Sequence, residues 1–514
     1  TFFVLNLRQK KDGDFMKKDI LRGFIALVFI FLTLLSCALL KEFKGQFKEL
    51  DKANINNESN KFYGYNLENS TFNLPVVVIN TNGSSIKRQE NITADIKVYD
   101  SNENNLKEYP SFESKINISI RGNSTSKYPK KQYSLEFINN KGEEKNKKIL
   151  DMEKGSDWVL NGPFSDKSLM RNYIAYKTAR NIMEYAPDVR FCEVFVIDDN
   201  SEAIKEEHYK GLYLMIEKIK RDENRLEITK SQDNIEETSF IVSKDRVKKN
   251  DIGLNSYGVQ IYIDHYGLNI EYPKKQLTEG KYQYINKYIS EFERVLYSDK
   301  FNDPIEGYRK YIDVDSFVDY YIINEFFKNT DAGLLSTYFY KDYQGKLKAG
   351  PIWDFNKSLG NHNEEIGTPY DYTSFFMINR PWFDRLMEDK SFTEQVVNRF
   401  KYLRTTYLSD NYLIEMIDET LKLLGDAPKR NFYKWPIEMC NQAEVFEENV
   451  DVTESYSLNI EPYREFLEKN KNLLKSTEYR SKSYEEEILM MKQFIVNRGK
   501  WMDDNIDSLS KWAS

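Results

Sequence analysis

The chain has 514 residues and a mass of 61.0 kDa, which is enough to bury a full hydrophobic core in one large domain or in several smaller ones. Its 30% charged and 40% hydrophobic residues are ordinary for a soluble globular protein, and its net charge of −7 argues against a nucleic-acid-binding surface, which needs a basic excess. Three Cys and three His lie far apart in the sequence, so a zinc site or a Cys–His nucleophile is not expected.

The first residues have the pattern of a bacterial lipoprotein signal. Three basic residues, Lys17, Lys18 and Arg22, precede an apolar stretch over 23–33. The following Leu-Leu-Ser-Cys sequence, which ends at Cys37, resembles a lipobox. We therefore expect residues 1–36 to comprise an upstream extension and a signal peptide, and Cys37 to become the lipidated N-terminus on the extracytoplasmic face of the cell membrane.

An uncleaved signal anchor is the alternative, because the apolar run over 23–40 reaches the lower length limit for a membrane span. Residues 37–70 are polar and lack an apolar period, which is typical of a flexible tether. In either case the sequence predicts a membrane-attached protein whose folded part begins near residue 71.

Short alternating runs then predict an antiparallel sheet. They lie at 74–79, 94–99 and 116–120 and are separated by Asn-, Gly- and Ser-containing turns. The next turn, over 121–126, is rich in Gly and hydroxyl side chains. Its backbone N–H groups and Arg121 can surround phosphate oxygens, although an ordinary turn fits the same residues.

A strand is predicted to open at Lys130 and Lys131, with Lys131 on the same face as Tyr133. From that face Lys131 either reaches a phosphate group or is simply an exposed charge at the start of a strand. Farther on, Cys192 lies within an apolar run and is predicted to be a buried thiol, as is Cys440.

Helical periods dominate after residue 271. One apolar stripe, with Asp313 or Asp315 as a possible cap, contains Val314, Phe317, Val318, Tyr321 and Ile322. A later stripe contains Ile488, Met491, Ile495 and Met502. The pattern predicts an α+β protein with a β-rich part over 71–270 and a mainly helical part over 271–514.

A β-hairpin is predicted within the helical part. Its first arm, 337–341, alternates aromatic and polar residues, and its second arm, 346–352, follows a four-residue turn. Because paired strands lie about 4.8 Å apart, Asp331 and Asp354 should meet at the open end, within about 10 Å of one another. Two such acids suit phosphoryl transfer, in which one carboxylate holds Mg²⁺ and the other acts on the attacking hydroxyl. Alternatively, Asp331 caps a turn and Asp354 caps a helix that begins near Lys357.

Five blocks, in this order, resemble the spore coat protein H (CotH) kinase family of atypical protein kinases. They lie at 118–124, 130–137, 166–172, 211–218 and 329–360, and the resemblance covers roughly residues 72–510. It implies a two-lobed, protein-kinase-like fold, with ATP and Mg²⁺ as cofactors. It also implies transfer of the γ-phosphoryl group to Ser or Thr of surface or spore coat proteins.

The resemblance also implies roles for individual residues. Asp331 would act on the acceptor hydroxyl and Asp354 would hold Mg²⁺. Around the nucleotide, the family pattern places Arg121, Asn123 and Lys131.

Two further residues would belong to the nucleotide site by the same resemblance. Arg171, which starts a helical run, is either a phosphate contact or a partner of Glu217. Glu217 ends an apolar strand over 212–216 where the connection between lobes is expected. It either bonds the base or ribose of the nucleotide or closes a buried pair with Lys218 or Arg171.

Two positions depart from the family pattern. Asn356 stands where family members commonly carry a second Asp, and Ser336-Thr337 stands where an Asn is common. Asn356 still offers a neutral oxygen to the metal, but with less attraction for Mg²⁺ than a carboxylate. A non-catalytic cell-surface or spore-surface module that binds carbohydrate or a protein partner is the alternative function, because an exported protein is not expected to meet ATP, and the many Tyr and Trp residues are consistent with it.

Overall fold

The computed structural model of the chain describes residues 71–101, 104–246, 251–254, 266–362, 370–441 and 480–513, all within one compact unit, Asn66–Ser514. The strands are β1 (Val76–Asn80), β2 (Ile92–Tyr99), β3 (Phe112–Arg121), β4 (Gln132–Ile138), β5 (Lys147–Ile149), β6 (Met152–Gly155), β7 (Asp157–Asn161), β8 (Val189–Ile197), β9 (Tyr209–Glu217), β10 (Phe240–Arg246), β11 (Tyr266–Tyr272), β12 (Thr337–Lys341) and β13 (Leu347–Ala349). The helices are α1 (Arg171–Ala179), α2 (Glu279–Leu296), α3 (Val314–Phe327), α4 (Phe383–Leu386), α5 (Lys390–Arg404), α6 (Asp410–Leu424), α7 (Ala427–Lys434), α8 (Ile437–Asn441) and α9 (Tyr484–Asn505). Short 3₁₀ turns include Ser124–Lys127, which lies between β3 and β4.

Seven strands of the N-terminal part form a closed barrel. Their order is β1-β2-β3-β4-β7-β9-β8, and the barrel closes where β1 pairs with β8. This closing pair is parallel, from Val76 opposite Glu193 to Asn80 opposite Ile197, whereas the other neighbours are antiparallel. The predicted first strands are confirmed, but the predicted antiparallel sheet is a closed barrel, because a strand more than 100 residues later covers its free edge.

Alternate residues of these strands fill the barrel. Val77 and Ile79 of β1, Ile118 of β3, and Leu135 and Phe137 of β4 are at most 1% exposed and share one core cluster. The period of two expected of strands therefore produces one apolar face, which closure of the barrel removes from water.

A four-stranded sheet of order β11-β10-β12-β13 contains the predicted hairpin, which the antiparallel pairing of β12 with β13 confirms. Its two added strands come from earlier in the chain, and β11 (Tyr266–Tyr272) extends across residue 270, the predicted boundary between the β-rich and the helical part. Side chains of β10 and β11 also divide between two faces: Val242, Leu268 and Ile270 are buried in the core, whereas the adjacent Ser243, Asn269 and Glu271 are polar.

Helix α3 forms where the sequence predicts it. The Asp313 side chain caps it by accepting a hydrogen bond from the Ser316 N–H at 2.9 Å. All four residues of the late apolar stripe lie on α9 and are buried. The fully buried Glu325 and Arg498 side chains form an ion pair that joins α3 to α9.

The main hydrophobic core joins the barrel to the helices. Leu212, Leu214 and Ile216 on the outer face of β9 belong to the same cluster as Ile174 of α1 and Phe317 of α3. The α+β class, with strands first and helices later, is therefore confirmed. The two-lobed arrangement stays a prediction.

Buried thiols are confirmed for Cys192 and Cys440. Within the ranges that the structure describes, no helix has both the length and the apolarity needed to cross a bilayer. The apolar segment over 23–40 and Cys37 lie outside the described residues.

Candidate active site

A cavity of about 410 Å³ opens between one end of the barrel, the polar face of the four-stranded sheet and the loop after β13. Among its lining residues are Asp331, Asp354, Asn356, Arg121 and Asn123, which are five of the predicted site residues. A cavity of this size, lined by both acidic and basic side chains, can hold a charged ligand of nucleotide size.

Asp331 starts the turn that leads into β12. Its carbonyl accepts hydrogen bonds from the N–H groups of Leu334 (3.1 Å) and Leu335 (2.8 Å). Gly333 has a φ of +80°, and a Cβ on it would lie 2.7 Å from Cβ of Arg380, so only glycine fits there without displacing Arg380. Arg380 in turn donates to the Thr330 carbonyl at 2.6 Å and so fixes the backbone immediately before Asp331.

Asp354 is held by helix α1. Its backbone N–H donates to the Tyr176 hydroxyl at 3.2 Å, and the next N–H, of Phe355, donates to Asn172 Oδ1 at 2.7 Å. Asp354 has a φ of +61°, a left-handed conformation that Asp tolerates better than most residues. No helix begins at Lys357, so a helix-capping role for Asp354 is wrong.

Electrostatics connects the two acids. Burial raises the pKa of Asp354 to about 6, and the negative charges of Asp331 and Asp245 add to the rise, while Arg121 and Lys357 oppose it. A carboxylate that is partly buried beside other carboxylates is destabilised in its charged form. A bound cation would relieve that repulsion.

Asn356 faces the same cavity two residues later. Its Nδ2 donates to Ser165 Oγ at 3.4 Å, so Oδ1 is the atom with which Asn356 can bind a cation. Asp354 and Asn356, with Asp331 nearby, therefore offer the hard oxygen ligands that suit Mg²⁺.

The loop between β3 and β4 forms the barrel side of the cavity. The Arg121 guanidinium donates to Gln132 Oε1 at 3.1 Å and lies 5.6 Å from the ring centroid of Trp353. Gly122 has a φ of +100°, and a Cβ there would lie 2.0 Å from Thr125 Oγ1, so the tight turn requires glycine. Arg121 thus lies where it can neutralise anionic charge near Asp354.

Lys131 lies elsewhere. Its ammonium donates to the Ser126 carbonyl at 3.0 Å, and it is not among the residues that line the cavity. The strand alternation explains this, because Gln132 and Ser134 face the cavity whereas Tyr133 points into the barrel. We therefore withdraw the phosphate role predicted for Lys131.

Arg171 is also displaced from the cavity. It is fully buried, its Nη1 lies 2.7 Å from Asp166 Oδ1 and 2.6 Å from Glu487 Oε1, and its Nε donates to the Ser358 carbonyl at 2.9 Å. It contacts neither the cavity nor Glu217, so both predicted roles are wrong. It supports the loop that carries Asp354.

Glu217 is a structural carboxylate. It accepts hydrogen bonds from the Asp188 N–H at 2.8 Å and from the Tyr185 hydroxyl at 3.2 Å. It does not line the cavity and pairs with neither Lys218 nor Arg171, because the end of β9 directs it toward the segment before β8. Lys218 lines the cavity instead, with its ammonium 3.5 Å from Asp157.

The sequence interpretation missed several cavity residues. Asp245 of β10 and Asn269 of β11 line the cavity, as does Lys357 after β13. The available signal was the alternation of apolar and polar residues over 268–271, which is typical of a strand with one buried face. Nothing in the sequence indicated that these strands extend the hairpin.

One cluster elsewhere has metal-ligand chemistry. Carboxylate and ring atoms of Asp199, Glu207 and His208 lie within 4.8 Å of one another. The Lys205 ammonium already lies 3.2 Å from Asp199 and 3.5 Å from Glu207. This lysine supplies the positive charge that a metal would otherwise bring.

Comparison with known proteins supports the resemblance carried by the hairpin and its flanking blocks. The family model described as CotH kinase protein matches residues 118–502, which is more than half of the chain. The matched region includes Arg121, Asp331 and Asp354. No curated protein matches the chain. The chain belongs to the CotH kinase protein family.

Proposed function

We propose that this protein is an atypical protein kinase that transfers the γ-phosphoryl group of ATP to Ser or Thr hydroxyls of surface or spore coat proteins. The observation that supports this most is the presence of Asp331, Asp354 and Arg121 around one cavity in a member of the CotH kinase protein family. The barrel and the helical part would then serve as the two lobes of a kinase-like arrangement.

Each residue has a distinct part in this proposal. Asp331, on a rigid turn, accepts or orients the proton of the attacking hydroxyl. Arg121 neutralises phosphate charge, and the neighbouring Asn123 contributes a polar contact from the same loop. Since phosphoryl transfer needs little covalent help from the protein, positioning and electrostatic stabilisation supply most of the rate gain.

Asp354 and Asn356 would hold the metal. A bound Mg²⁺ neutralises the charge that develops on the phosphates. The raised pKa of Asp354 supports this assignment, because a cation favours the ionised carboxylate that burial and Asp331 disfavour. Asn356 contributes one neutral oxygen, so we expect weaker metal binding than with two carboxylates.

Labelled ATP and a Ser-rich acceptor peptide test the proposal. Asp331→Asn should keep Mg-ATP affinity within a few-fold but lower turnover by roughly 10²-fold or more, the usual scale for general-base catalysis. Asp354→Asn should weaken Mg-ATP binding measured by calorimetry. Asp233→Asn, which changes an exposed carboxylate away from the cavity, is the matched control and should behave as the unmodified protein does.

The alternative function predicts a different result. A non-catalytic surface module would show no transfer to the peptide, and Mg-ATP would leave its melting temperature unchanged, because only a ligand of the folded state raises that temperature. Equal transfer rates in the unmodified protein and in Asp331→Asn would remove Asp331 from the mechanism.

We further propose that the protein is attached to the extracytoplasmic face of a bacterial membrane through lipidation of Cys37. The basic and apolar residues that precede Cys37 support this proposal. Cys37→Ala should abolish incorporation of labelled fatty acid and leave an unprocessed precursor. A membrane-bound protein that incorporates no fatty acid even with Cys37 intact would support the signal anchor instead.

A further inference from the structure

The four-stranded sheet brings additional oxygen atoms to the cavity from strands that are separate from the Asp354 loop. On β10 and β11 the cavity is lined by the oxygen-bearing side chains of Ser243, Asp245, Asn269 and Glu271, and by Arg246 at the end of β10. Ser243 and Asp245 are two residues apart on β10, and Asn269 and Glu271 are two apart on β11, so each pair lies on one face of the sheet, opposite the core residues Val242, Leu268 and Ile270.

Asn269 is the most informative of these residues. It is 3% exposed, it lines the cavity, and its Oδ1 atom accepts no hydrogen bond from any residue that the structure describes. Buried polar atoms in native proteins nearly always have a partner, so an unpartnered carbonyl oxygen beside a cavity points to a ligand.

Asp245 is an anionic neighbour of Asn269 on this face, and its Oδ1 accepts a hydrogen bond from the Arg246 N–H at 2.7 Å. Ser243 lies directly opposite Asn269, and Asp245 lies opposite Gly267, so Asp245 and Asn269 are diagonal neighbours. Diagonal residues of an antiparallel pair lie about 7–8 Å apart at Cα. Their side-chain oxygens can therefore converge on one ion at the roughly 2.0–2.6 Å that hard cations require.

Glu271 is already neutralised. Its Oε1 accepts a hydrogen bond from Ser243 Oγ at 2.7 Å, and its Oε2 accepts one from the Lys274 ammonium at 2.8 Å. Asp245 and Asn269 are the remaining carboxylate and amide of this face, and each offers an oxygen atom to a cation. Oxygen ligands of this kind select a hard divalent cation over an anion or a soft metal.

We propose that Asp245 and Asn269 form a second divalent-cation subsite in the cavity, separate from the one formed by Asp354 and Asn356. Its role as an additional positive charge for the nucleotide phosphates rests on the proposed function. Binding of the cation itself does not.

Binding of Mn²⁺ to the full-length chain without nucleotide, followed by electron paramagnetic resonance of free Mn²⁺, tests the subsite. The unmodified protein should bind two Mn²⁺ ions in the cavity. Asp245→Asn should weaken one of them at least tenfold, and Asp354→Asn should weaken the other. Asn269→Asp adds an anionic ligand, so it should tighten the first at least tenfold, a gain that misfolding cannot produce.

The matched control is Asp199→Asn, in the cluster formed by Asp199, Glu207 and His208. Asp199→Asn also removes one carboxylate, but it should leave both cavity ions bound as in the unmodified protein. Unchanged Mn²⁺ binding in both Asp245→Asn and Asn269→Asp would overturn the proposal. Loss of the same single ion in Asp245→Asn and in Asp354→Asn would also overturn it, because one cation would then be shared.

The subsite and the proposed function fail separately in these experiments. A protein that binds two Mn²⁺ ions but transfers no phosphoryl group contradicts the kinase and leaves the subsite in place. If the protein is an active kinase but neither Asp245→Asn nor Asn269→Asp changes its Mn²⁺ affinity, the subsite alone is contradicted.

Discussion

Thr337 holds together the turn that carries Asp331. Its buried hydroxyl oxygen accepts a hydrogen bond from the Gly333 N–H at 2.8 Å and donates one to the Leu335 carbonyl at 2.9 Å. The position lies in the Ser336-Thr337 pair that departs from the family pattern. At this position the Thr337 hydroxyl therefore fixes the turn through its own hydrogen bonds.

Thr337→Val should destabilise this turn, because the isosteric side chain leaves the Gly333 N–H without an acceptor. We expect a loss of about 1–3 kcal/mol in the free energy of unfolding, measured in urea. Peptide phosphorylation should fall with it, since Asp331 loses its fixed position. Thr337→Ser keeps the hydroxyl and should restore most of both losses, whereas equal effects of Val and Ser would show that the hydroxyl is not what matters.

Glu487 is a buried carboxylate of helix α9. It pairs with Arg171, which in turn donates a hydrogen bond to the loop that carries Asp354. Burial alone would raise its pKa, but Lys167 and Arg171, with hydrogen bonds from Ser481 and Tyr370, lower it to about 2. A carboxyl with a lower pKa in the folded state stabilises folding when ionised. Its contribution is thus fully present above its ordinary value of 4.5 and is lost as the pH falls toward 2.

Glu487→Gln should therefore destabilise the protein at neutral pH and weaken the pH dependence of stability between about pH 5 and 2. Breaking a buried ion pair from one side typically costs about 3–5 kcal/mol. Urea unfolding at several pH values measures both effects. Glu485→Gln, an exposed carboxylate in the same helical turn, is the control, and equal stability losses in the two variants would contradict the role given to Glu487.

At the scale of elements, helix α1 connects the fold to the site. Three of its side chains form hydrogen bonds with the backbone of the segment after β13. Tyr176 accepts one from the Asp354 N–H, and Asn172 accepts one from the Phe355 N–H. Arg171 donates one to the Ser358 carbonyl. Because all three are side-chain contacts to backbone groups, the helix fixes the loop without constraining which side chains the loop carries.

Tyr176→Phe removes only the hydroxyl that accepts the Asp354 N–H, while the ring remains 6.1 Å from that of Trp353. We expect a loss of stability of about 1 kcal/mol and a several-fold weaker affinity for Mg-ATP, measured by calorimetry. Tyr173→Phe on the same helix is the matched control. Identical affinities in both variants would show that the contact from Tyr176 does not position Asp354.

The elements that the sequence predicted correctly are those with local signals. The hairpin and helix α3 combine a clear period with a turn or a cap, so their residues alone specify them. Closure of the barrel by β1 and β8, and extension of the hairpin by β10 and β11, depend on pairing between distant segments. No local pattern encodes which strands become neighbours.

The site shows the same division. The short hairpin predicts that Asp331 and Asp354 lie close together, and both line the cavity. Lys131, Arg171 and Glu217 were misassigned because their positions depend on which face of a strand or helix meets the cavity. Asp245 and Asn269 were missed since the cavity receives them from strands that only the tertiary fold brings there.

At the scale of the whole molecule, the barrel and the helices are joined by one hydrophobic core. The outer face of β9 packs into the cluster that contains α1, α3 and the four-stranded sheet. The cavity lies at this junction, so its barrel side and its sheet side are held in place by the same packing. Both sides should consequently lose their geometry together when that packing fails.

Leu214→Ala tests this coupling, because Leu214 is a barrel residue with 1% exposure whose side chain belongs to the shared core. Large-to-small changes in a core cost about 2–5 kcal/mol. If the parts unfold as one unit, hydrogen exchange should accelerate by the same factor in barrel strand β3 and in helix α5, and urea unfolding should stay a single transition. The exposed Leu423→Ala on α6 should change neither. Faster exchange confined to the barrel would instead show two lobes that unfold independently, and the cavity would then depend on contacts between lobes more than on a common core.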